Sequence, residues 1–108
     1  MLKITSKHQG IFLVIALTGR IDASNSKILD EQCTELINEG ESRLIFDLSG
    51  VNYISSAALR VFLLVAKQLS KVNGSIKICG LSSTLRDVFD ISGFSKLFEI
   101  TETVEEAL

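Results

Sequence analysis

The run Ile11-Phe12-Leu13-Val14-Ile15-Ala16-Leu17 contains no polar residue. A strand with one face in water alternates apolar and polar side chains, so this stretch suits a strand covered on both faces, as in layered α/β proteins. Ahead of it, Leu2–Lys7 does alternate, as an edge strand would, and the turn residues Gln9-Gly10 join the two into a hairpin.

The remaining periodicities complete the layers. Ser24–Glu39 places Ile28, Leu29, Cys33, Leu36 and Ile37 on one helical face and stops at Gly40. Arg43–Leu48 carries Leu44-Ile45-Phe46, the mark of a central strand, and a loop follows it to Ile54. A helix that is apolar over most of its circumference runs from Ser56 to Lys71 and ends before Asn73-Gly74. Ser75–Cys79 reads as a strand, Ser83–Ser92 as a helix closed by Gly93, and Leu97–Thr101 as a last strand. Thr103 and Glu106 have capping-box spacing for a short terminal helix over Thr103–Leu108. The order β-β-α-β-α-β-α-β-α predicts an α/β fold with a mixed, mostly parallel sheet and an antiparallel edge strand.

At 108 residues, one domain spanning 1–108 is expected. A net charge of −2, with Lys and Arg scattered along the chain, argues against a nucleic-acid partner. Cys33 and Cys79 lack C-x-x-C spacing and fall at apolar positions, as reduced core cysteines do. The N-terminus resembles no signal peptide and no apolar stretch is long enough to insert into a membrane, so a cytoplasmic location is expected.

Ligands in parallel sheets gather at the carboxyl ends of the strands. On this reading Gly19–Asp22, Asp47–Ser56 and Cys79–Ser83 share one rim, with Asp22 and Asp47 close to Ser55-Ser56. A serine opening a helix is either an N-cap or a good site for added phosphate, because the unpaired N–H groups and the helix dipole favour an anion there. No metal is expected, since histidine, cysteine and carboxylates do not cluster at ligand spacing; no nucleotide loop or other cofactor motif is present. His8, the single histidine, is remote from any nucleophile, and no enzyme is predicted. A phosphorelay receiver with Asp47 as acceptor would need paired acidic residues after the first parallel strand, where Asp22 stands alone.

The segments Gly19-Arg20-Ile21-Asp22, Phe46-Asp47-Leu48-Ser49-Gly50-Val51 and Tyr53-Ile54-Ser55-Ser56-Ala57-Ala58-Leu59-Arg60, in this order, resemble the STAS domain of bacterial anti-sigma-factor antagonists. The likeness covers essentially the whole chain, including Ile78–Leu81, Val88–Gly93 and Phe94–Phe98. It implies a protein that, unphosphorylated, binds an anti-sigma factor and releases a sigma factor, positively regulating transcription. The anti-sigma factor doubles as a serine protein kinase, and a serine phosphatase reverses the modification. By position Ser56 is the implied phosphoacceptor, with Ser55 second. Asp22, Ser24, Asn52, Ser55, Ser56 and Arg60 are the expected partner-binding residues, in a monomer or weak dimer. The family commonly has aspartate where this chain has Ser55, and glycine where it has Ala58. The first departure leaves a competing hydroxyl and the second puts a better helix former in the first turn. The competing function is a STAS module outside sigma control, either a stress-signalling scaffold or a cytoplasmic subunit of a transporter.

Overall fold

The computed structural model describes residues 2–108. An opening hairpin of β1 (Lys3–Gln9) and β2 (Phe12–Ile21) leads into α1 (Ser26–Asn38), β3 (Arg43–Ile54) and α2 (Ser56–Lys71). Then come β4 (Ser75–Cys79), α3 (Ser83–Ile91), a 3-10 turn at Phe94–Lys96, β5 (Glu99–Thr101) and α4 (Val104–Ala107). The strands lie side by side in chain order; β1 is antiparallel to β2 at one edge, and every other pair is parallel.

A sheet extended in one direction by crossovers of the same hand stacks its crossover helices on one face. The core follows that rule. Leu13, Ile15 and Leu17 of β2 and Leu44, Phe46 and Leu48 of β3 point to the face that packs on Leu29 and Cys33 of α1, Phe62 and Val65 of α2 and Leu85 and Phe89 of α3. The intervening residues Phe12, Val14 and Ile45, with Cys79 of β4, form a smaller cluster on the opposite face, closed by Ala107 and Val104 of α4. Lys77 pins α4 there: its Nζ donates to the Ala107 carbonyl at 2.6 Å and lies 3.4 Å from Glu99 and 4.8 Å from the centre of the Phe12 ring. The apolar run from Phe12 onward is thus explained by two unequal cores, whereas Ile11, expected within the strand, lies in the turn before β2 and is exposed. Cys33 and Cys79 belong to different ones and both are free. Burial pushes their thiols up, to about 12 for Cys33 and about 11 for Cys79, which keeps both protonated and unreactive.

The structure departs from the sequence expectation chiefly in β3, which does not end at Leu48. It continues through Ser49–Ile54, paired with a β2 that itself runs to Ile21 rather than ending at Leu17. The register explains why turn-type residues are tolerated. Ala16 pairs with Asp47 but Thr18 with Gly50, and Gly19 pairs with Val51 but Arg20 with Tyr53, so β3 carries one extra residue at each of two bulges. Asp47 Oδ1 accepts the Ser49 N–H at 3.0 Å inside the first bulge. Gly50 is needed beside it, because a Cβ there would lie 2.9 Å from Thr18 Oγ1 and 3.1 Å from the Leu17 carbonyl oxygen.

The smaller corrections have local causes. α1 begins at Ser26 rather than Ser24, because the N–H groups of Asn25 and Ser26 turn back to the Asp22 carbonyl. β5 begins at Glu99 rather than Leu97, because Gly93, at φ +82°, starts the 3-10 turn that uses up the preceding residues. Thr103 Oγ1 caps α4 by accepting from the Glu106 N–H, while the Glu106 carboxylate reaches back to the N–H of Glu102, one residue beyond the capping-box position.

Candidate functional site

Because β4 ends at Cys79, level with Asp47, the paired ends of β2 and β3 project beyond it: β3 runs on to Ile54 and β2 from Ala16 to Ile21, about 17 Å along the unbulged β2 at ~3.3 Å per residue. The predicted rim is therefore divided. Gly19–Asp22 and Val51–Ser56 lie at its outer end, whereas Asp47 and Cys79–Ser83 lie back along the sheet, with Asp47 turned toward the α4 face. Asp47 is not a neighbour of the serine pair; its carboxylate stabilises a bulge.

The outer end is built by one-residue economy. Ile54 is the last residue of β3 and Ser56 the first of α2, so Ser55 alone makes the corner. It keeps extended angles, φ −89° and ψ 168°, and its N–H donates to the Ile21 carbonyl at 2.9 Å, tying the corner to β2. Its Oγ accepts the Ala58 N–H at 3.2 Å, satisfying one of the unpaired donors of the first turn. Ser56 is one step on, exposed, and its hydroxyl has no hydrogen-bond partner among the described residues. The pair, in which the family resemblance ranks Ser56 first and Ser55 second as acceptor, is therefore split into a cap and a free hydroxyl. Ser55→Ala is expected to cost about 1 kcal/mol of stability through the lost cap, read as a lowered midpoint of urea unfolding.

Beside this corner the β2–α1 connection is closely tied. Asp22 Oδ1 accepts from both the backbone N–H and the hydroxyl of Ser24. The Ser24 hydroxyl, above all, holds the Asp22 carboxyl below the usual carboxylate range, with Arg20 helping; partial desolvation opposes it. Asn25 is the N-cap residue of α1 by position, yet its side chain faces back, accepting the Asp22 N–H and donating to the Arg20 carbonyl, each at 2.9 Å. Ser24 is thus occupied within the turn, and Asp22 is the half-buried anion of the group.

Asn52 is the extra residue of the second bulge and is exposed. Next to it Tyr53, 41% exposed, receives the Arg20 guanidinium 4.2 Å over its ring centre, and Arg20 Nε stands 3.9 Å from Asp22 Oδ2. This Arg20–Tyr53 stack had no separate signal in the sequence. It arises because the bulge moves Tyr53 opposite Arg20 on the face away from buried Ile21 and Ile54. Arg60 lies one turn into α2, exposed. The structure therefore gathers Asp22, Ser24, Asn52, Ser55 and Ser56 at one end, with Arg60 at its border.

Comparison with known proteins identifies the family and the fold. The STAS domain model matches residues 3–107. BtrV of Bordetella bronchiseptica, by its name a candidate anti-sigma factor antagonist, is 39% identical over 98% of this chain and 91% of its own. The anti-sigma-B factor antagonist of Bacillus subtilis is 32% identical over 84% of this chain and 83% of its own. Among solved structures, Bacillus SpoIIAA, an anti-sigma factor antagonist, matches in two states. The unphosphorylated form has a TM-score of 0.76 at 19% identity, covering 97% of this chain and 93% of that one. The phosphorylated form has a TM-score of 0.75 at 22% identity, covering 97% and 96%.

Proposed function

The chain belongs to the STAS domain family, and we propose that it is an anti-sigma factor antagonist switched by phosphorylation of Ser56. Unphosphorylated, it binds an anti-sigma factor through the outer end of β2, β3 and α2, and so releases a sigma factor. The same anti-sigma factor, acting as a serine kinase, transfers phosphate to the Ser56 hydroxyl, and a serine phosphatase removes it. The protein itself is a binding module and a substrate rather than an enzyme. Its similarity to relatives named as anti-sigma factor antagonists supports the binding role.

The observation that carries the choice of Ser56 is the split between the two hydroxyls. The Ser55 hydroxyl is engaged in capping Ala58, and that residue is half-buried; Ser56 offers an exposed, unbonded hydroxyl at the start of a helix. Phosphate there meets the positive end of the helix dipole, which stabilises it by roughly 0.3–2 kcal/mol. The modified chain therefore keeps its fold, and binding is lost because a dianion is forced against the partner. The near-equal likeness to both forms of SpoIIAA supports a switch without refolding.

Phosphopeptide mapping of the protein isolated from its own cells, with its co-purifying proteins identified, tests this reading. Phosphate is expected on Ser56, absent from Ser56→Ala, retained in Ser55→Ala, and accompanied by a serine kinase. Phosphate that persists in Ser56→Ala overturns the acceptor assignment. An unmodified pair that co-purifies with a permease or a signalling scaffold overturns the sigma-factor reading.

A further inference from the structure

α2 has an unbalanced charge. Its sixteen residues include Arg60, Lys67 and Lys71 but no carboxylate, and its first turn is free of acidic residues. The ion pairs among the described residues are His8–Glu41, Arg20–Asp22, Lys77–Glu99 and Arg86–Asp90. Arg60 belongs to none of them, and no hydrogen bond of its guanidinium is found among the described residues. Asp22, the carboxylate on the neighbouring connection, is already engaged with Ser24 and Arg20.

Arg60 stands four residues after Ser56, so the two exposed side chains share one face of the helix. The order suits an ion pair, since an anion at the earlier position and a cation four residues later is the more stable arrangement. The residue type suits phosphate, because the planar guanidinium donates two parallel hydrogen bonds to phosphate oxygens. Lys67 and Lys71 are eleven and fifteen residues from Ser56, at least three turns away. The buried neighbours Leu59 and Val61 hold the backbone of this turn in place.

We propose that Arg60 is a built-in counter-ion for phosphate on Ser56, forming an ion pair that exists only in the modified protein. This inference rests on the Ser56 switch and adds a second half to it. In the unmodified chain Arg60 is offered to a carboxylate of the partner. Phosphorylation then both adds negative charge and withdraws that cation, turning a local charge of +1 into about −1. Partner surfaces that meet Arg60 with an acidic group lose that attraction at the moment the phosphate arrives.

The test uses the full chain with phosphoserine genetically encoded at position 56, so that no kinase is needed. The second ionisation of the phosphate is followed by phosphorus NMR at low salt in the parent, Arg60→Gln and Arg60→Lys chains. A nearby cation favours the dianion, so Arg60→Gln is expected to raise the midpoint by about 0.2–0.4 pH unit. Arg60→Lys should recover part of the difference, and high salt should erase it. Coincident midpoints in the parent and Arg60→Gln chains at low salt overturn the counter-ion. The exposed position leaves the fold of both variants intact, which circular dichroism verifies. Failure of the switch appears elsewhere, as a native protein without phosphate on Ser56, and leaves this midpoint difference unchanged.

Discussion

Phosphate on Ser56 is expected to weaken binding to the anti-sigma factor about a hundredfold, a loss of about 2.7 kcal/mol, while Ser56→Ala binds as tightly as the parent. The asymmetry follows from where the hydroxyl sits. Ser56 is the first residue of α2, exposed, with no internal bond to lose, so alanine removes nothing that holds the corner together. Phosphate instead adds a charge of about −1.5 to −2 beside the Asp22 carboxylate, which its Ser24 hydrogen bonds keep ionised. A complex must then desolvate or repel that charge. Ser56→Asp carries only one negative charge and should lie between the two. Titration calorimetry of the four proteins with the co-purified anti-sigma factor reads the order. Equal affinity of the phosphorylated and Ser56→Ala proteins would remove the electrostatic account and leave Ser56 as a bystander at the interface.

Phe62→Ala is expected to destabilise the fold by about 3–5 kcal/mol, against the roughly 5–15 kcal/mol available to a domain of this size. Phe62 is fully buried on α2 and meets Phe46 of β3 edge-to-face, with ring centres 5.1 Å apart and an interplanar angle of 81°. It holds α2 to the sheet, six residues from Ser56, so its loss also loosens the corner that presents the hydroxyl. Urea unfolding of the parent and the variant checks the number; with a slope of about 1–3 kcal/mol per molar, the midpoint should fall by at least 1 M. A loss below about 1 kcal/mol would mean that the surrounding core closes over the vacated space. Phe62→Leu, which conserves most of the volume, should lose far less.

The position of α2 was legible in the chain, because apolar residues recur at helical spacing from Ala58 to Leu69 and the observed helix, Ser56–Lys71, has the expected ends. β4 likewise matches its expected span, Ser75–Cys79. The end of β3 was not legible. Ser49-Gly50 and Asn52 carry turn chemistry, and local reading makes them a loop; pairing with β2 absorbs them as bulges, a long-range interaction to which no local pattern points. The same long strand separates Asp47 from the serine pair and brings Tyr53 under Arg20.

What the chain determined by itself is the order of elements, the two-sided burial of β2 and the pair of hydroxyls at the start of α2, since each rests on periodicity or capping chemistry within a dozen residues. The tertiary structure alone decided which hydroxyl is free. Ser55 is held by Ile21 from β2 and caps Ala58, while Ser56 next to it is left to solvent. A hydroxyl's availability depends on which donors surround it, and here those donors are arranged by a strand corner whose register is set by the pairing of Ile54 with Ile21, far away in sequence.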